Sequence, residues 1–164
     1  MKVILPEETY VALLANWPVA RLATVSADAQ PHSVPIVFCT HNGVIYSPLD
    51  GKRKKSRRLK RFTNIATNPK VTLLLDDYTA DWQNLWWVRI DGKADRFEPS
   101  VEEASAIAER LLAKYPQYRN PSLMFDVSVY LRLRPGKISA WTQADSVAII
   151  DAAISAASAH TPTA

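Results

Sequence analysis

Short runs of apolar residues, changing period several times, organise this chain. Tyr10, Leu13 and Leu14 form one apolar face of a helix predicted from about Pro6 to Asn16, and Trp17-Pro18 stops it. Val19 to Val25 has the length and residue types of a strand, and after the polar turn Ser26 to Pro31 a second strand is expected from His32 to Cys39. Asn42-Gly43 is the strongest hairpin signal, because both central positions of a type I′ turn need positive φ, and it leads into a third strand over Val44 to Ser47.

The period then switches. Leu59, Phe62, Ile65 and Ala66 recur at helical spacing, and Asn68-Pro69 ends that helix. Val71 to Leu75 reads as a buried strand, and Leu85 to Ile90 as the next. Asp91-Gly92 either turns or bulges the chain before Lys93 to Phe97. Ser100 and Glu103 have the spacing of a capping box, so a helix is expected from there to about Tyr115. Phe125, Val127, Val129, Leu131 and Leu133 share one face of a strand over Met124 to Arg134. Pro135-Gly136 is read as a turn into a short closing strand, Ile138 to Trp141. Six or seven strands, mostly in hairpins and interrupted by helices, predict a mainly β fold. Its form is an antiparallel barrel with short helices outside it. Residues 1–141 make one domain; residues 142–164 form an extension that either docks as a helix or frays, with Val147, Ile150 and Ile154 at helical spacing.

Composition narrows the classes. With 164 residues, 48% apolar and 22% charged, the chain suits one ordinary globular core, and it has no apolar run of bilayer length. The start, Met1 to Glu8, lacks a signal-peptide core, so a cytoplasmic location is expected. Cys39 is the one cysteine and sits in an apolar run, which predicts a buried, inert thiol. His32, His41 and His160 show no metal spacing, and no metal is expected. P-loop and Rossmann glycine patterns are absent from a chain with four glycines.

Charge distribution says more than the net +4. Eight of the ten residues from Lys52 to Arg61 are Lys or Arg. They run from a loop into a helix start, where backbone N–H groups and the helix dipole already favour a phosphate. Eight neighbouring cations repel one another unless an anion offsets them, which makes this stretch the leading anion site. Nucleic acid is disfavoured because the five tryptophans are not interleaved with the cluster and no nucleic-acid-binding pattern occurs. Trp86 and Trp87 must point to opposite faces of a strand. One can fill the core; the other either is structural too or awaits cover by a second subunit or a cofactor ring.

Four stretches in this order resemble the pyridoxamine 5′-phosphate oxidase-like split β-barrel family of flavin and deazaflavin oxidoreductases. They are Ala20 to Val25, Pro31 to Ile36, Lys60 to Val71 with the Leu-rich strand after it, and Asp81 to Gly92. The last, with Trp82-Gln83-Asn84-Leu85-Trp86-Trp87, resembles the subgroup of coenzyme F420-dependent enzymes found mainly in actinobacteria. The resemblance covers roughly residues 5 to 141. It implies a homodimer holding cofactor at its interface, and hydride transfer to or from a small organic substrate. Lys60 and Arg61 then fall where the family grips the cofactor phosphate, with Lys52, Lys54 and Arg57 as further cations. Pro35, Ser47 and Trp141 would lie near the ring. No catalytic residue is assigned, since the cofactor carries the chemistry. Coenzyme F420, with a phosphodiester and a polyglutamate tail, suits eight cations better than FMN with its single phosphate. The alternative is a non-catalytic barrel that stores flavin or binds haem, for which only His32 and His41 qualify as ligands. In one respect the chain departs from the family pattern: Asp28-Ala29-Gln30 stands where an Asp-Gly usually precedes the proline of the second strand.

Overall fold

The structure, a computed structural model, describes residues 2–50 and 59–159. Eight antiparallel strands are β1 (Lys2–Val3), β2 (Ala20–Val25), β3 (Pro31–Ile36), β4 (Cys39–His41), β5 (Val44–Asp50), β6 (Lys70–Asp77), β7 (Trp86–Phe97) and β8 (Phe125–Thr142). Four helices accompany them: α1 (Glu7–Asn16), α2 (Lys60–Thr67), α3 (Val101–Lys114) and α4 (Ala148–Ala159). The strands join in the order β3-β2-β6-β7-β8-β5-β4, with β1 also on β8, so the sheet coils as a split barrel without a closing pair between β3 and β4 among the described residues.

The count differs from the six or seven expected, for three physical reasons. Lys2–Val3 pairs with Ala140 and Trp141, a strand too short to show a pattern. The run His32 to Cys39 breaks at Val37-Phe38, where the Tyr115 hydroxyl substitutes for a ladder partner. It accepts from the Phe38 N–H at 3.1 Å and donates to the Phe38 or Pro18 carbonyl, each at 2.9 Å. Finally, Pro135-Gly136 is not a turn. Gly92 pairs with Pro135 while Asp91 pairs with Lys137, so Gly136 bulges out of β8 and the strand continues through it. Asp91-Gly92 lies opposite this bulge, inside one continuous β7. A Cβ on Gly92 would sit 2.4 Å from the Arg134 carbonyl oxygen, which is why only glycine fits there. A second shift, between Pro48 and Leu49, leaves Val127 48% exposed although alternation puts it on the core face.

The strands divide two apolar clusters. The larger lies on the inner face with Leu22, Leu73, Val88, Ile90 and Trp86, and the Trp86 and Trp17 rings pack in a T-shaped pair with centroids 4.8 Å apart. Ile150 and Ile154 of α4 belong to this same core, and the Thr9 hydroxyl of α1 donates to Asp151 at 2.9 Å, so the C-terminal segment docks as a helix. The smaller cluster, with Tyr46, Ile107, Leu111 and Tyr130, lies under α3 on the opposite face of the β4-β5-β8 end. The expected capping box at Ser100 and Glu103 is formed.

Two local features carry a cost. Ala29 holds φ 63°, the left-handed conformation that glycine adopts freely. Near the end of α1, Leu14 has Pro18 four residues on; proline has no N–H, so the Leu14 carbonyl loses its next helical partner. The Lys114 amine donates to it at 2.8 Å, reaching across from the last turn of α3, with Nζ 3.6 Å from the centre of the Phe38 ring. Burial pushes the Lys114 pKa down from 10.5 to about 7.

Ala29→Gly is expected to raise stability by about 1 kcal/mol, read as an increased melting temperature. The unfolded chain keeps the Lys114 proton up to its ordinary pKa whereas the folded chain releases it near 7, so raising the pH above that point favours the folded state. From about pH 7 to about pH 9 the native protein should therefore gain stability relative to Lys114→Met, measured by denaturant melts at each pH.

Candidate functional site

Alternation gives the sheet an inner and an outer face, and the outer face of β3-β2-β6-β7-β8 stays open to solvent. In β7, Trp86, Val88 and Ile90 point into the core, while Trp87, Arg89 and Asp91 point outward, half-buried or exposed. Registers place Pro35 beside Arg21, Arg21 beside Leu74, Leu74 beside Arg89 and Arg89 beside Ser139 in one outward row. Two residues further on, Asp76, Trp87 and Trp141 form a second row. Arg21 pairs with Asp76 at 3.1 Å and Arg89 with Asp91 at 3.3 Å, so cross-strand and same-strand ion pairs stitch the surface.

Each end of this face holds a cavity. One, of about 330 Å³, is walled by Leu74, Asp76, Tyr78, Trp87 and Arg89. Beside it the Tyr78 and Trp141 rings stack with centroids 6.5 Å apart. The other, of about 780 Å³, lies where β2 ends and the β7-β8 bulge begins, and Lys70, Lys93 and Arg134 contribute cations to its rim. Asp91 stands among them, held by the Thr72 hydroxyl at 2.7 Å. Its volume is in the range of small-molecule sites. Arg21 and Val25 are four residues apart on β2, so the aromatic and cationic ends are separated by roughly 13 Å.

Helix α2 ends at the cationic cavity, where its C-cap Asn68 lines the wall. The Asn64 amide donates to Thr24 Oγ1 at 3.0 Å, both side chains being buried, and Ile65 enters the core, which fixes the helix against β2. Its N-cap is Leu59, whose side chain offers the first turn no acceptor, although its backbone carbonyl accepts from the Phe62 N–H at 2.9 Å. Lys60 opens the helix within electrostatic reach of Asp28, whose carboxyl is held below its ordinary range chiefly by the Ser26 hydroxyl. Arg61 follows, its guanidinium 5.8 Å from the centre of the Phe62 ring.

The residues anticipated from sequence therefore separate into groups. Pro35 and Trp141 share the open outer face, toward its aromatic end. Lys60 and Arg61 start α2. Ser47 is 2% exposed and on the same face of β5 as Ile45, which places its side chain in the packed interior. Lys52, Lys54 and Arg57 lie outside the described residues. Lys70, Lys93 and Arg134 were not anticipated; the signal for them was the pair Asp91-Gly92 and Pro135-Gly136, had it been read as facing irregularities in two long strands. Of the two adjacent tryptophans, Trp86 fills the core and Trp87 faces outward. Cys39 is 3% exposed and burial pushes its thiol up to about 12, well away from a thiolate at neutral pH. No helix among the described residues is long and apolar enough to cross a membrane.

Comparisons with known proteins agree with this architecture. A FAD-binding protein from Mesorhizobium loti superimposes with a TM-score of 0.59 at 22% identity, covering 85% of this chain and 95% of that one. The haem-storage protein HutZ from Vibrio cholerae gives 0.63 at 14% identity, with 85% and 95% covered. A conserved hypothetical protein from Mycobacterium tuberculosis gives 0.64 at 19% identity, with 85% and 86% covered. At these identities the likeness is one of fold. Among curated proteins, none matches the chain. The family description "Pyridoxamine 5′-phosphate oxidase" matches residues 6–146, and the chain belongs to the pyridoxamine 5′-phosphate oxidase-like split-barrel family.

Proposed function

We propose that the protein is an oxidoreductase that holds a flavin-type cofactor, coenzyme F420 or alternatively FMN, and works as a homodimer. The observation that carries this reading is the open outer sheet face, cationic at one end and aromatic at the other. A flavin or deazaflavin has the matching polarity: a flat ring system at one end and a phosphate at the other. The residues present fit such a group. Lys70, Lys93 and Arg134 on the rim of the larger cavity take phosphate oxygens, and Lys60 and Arg61, at the far end of the helix whose C-cap Asn68 lines that cavity, add positive charge for an extended anionic ligand. Pro35, Trp87 and Trp141 offer flat surface for the ring, and a second copy of the chain would bury it from water. Ser47, being interior, acts only through packing. Lys52, Lys54 and Arg57 extend the cationic stretch in the sequence, and a ligand with several negative charges in line, such as coenzyme F420, makes use of all of them.

When bound, the cofactor supplies hydride transfer to or from a small organic substrate. This chain's own residues bind, orient and exclude water. The family likeness to a FAD-binding protein supports a flavin-type ligand. Haem storage, the role of HutZ, is the other reading, but His32 faces inward beside Thr24 and His41 sits at the β4-β5 hairpin, neither on the open face.

Titration of the purified protein separates the cofactors. Fluorescence quenching of coenzyme F420 at lower concentration than FMN is expected; preference for FMN would reverse the choice, and a Soret band on adding haem without binding of either would favour storage. Lys60→Ala with Arg61→Ala is expected to weaken cofactor binding by at least about tenfold, the equivalent of one lost charged hydrogen bond. Unchanged affinity in the folded double variant would take these two cations out of the site.

A further inference from the structure

We propose that Lys114 is a reactive amine that forms an imine with a small aldehyde or α-oxo acid entering the cavities between α1, α3 and α4. This site shares no lining residue with the two cavities of the open sheet face and is independent of the cofactor reading.

Two cavities meet at this side chain. One, of about 410 Å³, is bounded by Asn16, Cys39, Thr40, Arg110, Lys114 and Ser158. The other, of about 380 Å³, is bounded by Trp17, Asp77, Lys114, Tyr115 and the small face of α4 at Ala153 and Ala157. Lys114 and Asn16 are the residues the two share, so this side chain borders both cavities.

The amine's own contacts leave it a nucleophile. A neutral amine has two N–H bonds and one lone pair. The Leu14 carbonyl, 2.8 Å away, takes one N–H, and the face of Phe38, 3.6 Å away, accommodates the other. What remains is the lone pair. The charged and titratable groups around it are Arg110 one turn back on α3, Cys39 from β4, Tyr115 beside it and Asp77 from the end of β6. Burial lowers the Lys114 pKa to about 7, so a large share of the amine is unprotonated near neutrality. The same burial keeps Cys39 and Tyr115 protonated, with the Cys39 thiol raised to about 12, and neither competes for the carbonyl. Arg110 offers a guanidinium to the carboxylate of an α-oxo acid in the first cavity.

The step balances without an outside oxidant or reductant. The Lys114 nitrogen forms a bond to the carbonyl carbon, the carbonyl oxygen takes the proton the nitrogen gives up, and the resulting carbinolamine loses water to leave a C=N bond. Hydrolysis reverses it.

Intact protein treated with glyoxylate, or with acetaldehyde as the uncharged probe, and sodium cyanoborohydride to trap the imine, can be mapped by peptide mass spectrometry. Lys114 should be labelled at least about tenfold faster than the exposed Lys93 and Lys137 at neutral pH, because burial leaves a larger share of its amine unprotonated. Its labelling should fall as the pH drops below about 7. Arg110→Gln should slow labelling by glyoxylate and leave acetaldehyde labelling unchanged. Labelling of Lys114 no faster than of Lys93 and Lys137 with both probes overturns the proposal, and this readout needs only the native chain. A rate equal in the native protein and in Arg110→Gln for glyoxylate overturns the α-oxo acid and leaves the aldehyde.

Discussion

One close approach governs the barrel: the Arg134 carbonyl passes so near Gly92 that no side chain can stand between them. That contact lets β8 absorb an extra residue and run unbroken for 18 residues, long enough to serve three partners. Its first half pairs with β5, its end pairs with β1, and β7 follows it from Tyr130 to Thr142. The bulge also exchanges which residues of β8 face inward, so that Leu131 and Leu133 before it and Ala140 and Thr142 after it all reach the core. Without that exchange, one half of the strand would present its apolar set to water. The cationic cavity sits over this irregularity, with Gly92, Pro135 and Gly136 in its wall, so the same feature that continues the strand also shapes the site.

Two sides of the sheet do different work. The inner face, closed by α1, α2 and α4, supplies burial. The outer face is covered by α3 only at the β4-β5-β8 end, and the remainder carries ion pairs and half-buried or exposed aromatic rings. Such a surface is neither polar enough to be simply solvated nor apolar enough to close on itself, and it is the face to which the proposed cofactor and second subunit are assigned.

Much of this was legible in the residues. The Asn42-Gly43 turn, with φ of 51° and 73°, and the Ser100–Glu103 capping box declare themselves because the chemistry is local. The adjacent tryptophans announce opposite faces, though pattern alone leaves open which face is the core. What stayed hidden depends on contacts distant in sequence. Tyr115 breaks a strand at Phe38 from 77 residues away, and Pro135-Gly136 resembles a turn until Gly92 is placed opposite it. Ser47 shows the same limit: a small polar residue at a strand end reads as a ligand contact, whereas its burial depends on Leu131 opposite it and Ile45 two residues back. The cations at Lys70, Lys93 and Arg134 come from three strands and converge only in the fold.

The pairing of first elements with last ones bears on how the chain reaches this state. Strand β1 joins β8 at Trp141, and α1 docks against α4 through Asp151, contacts that span nearly the whole chain. A ribosome-bound intermediate that has released β2 to β7 therefore still exposes Leu13, Leu22 and their neighbours to solvent. Completion of the core waits for α4, so the time between synthesis of the middle strands and arrival of Ile150 and Ile154 is the interval in which this protein is most exposed to aggregation and most dependent on chaperones.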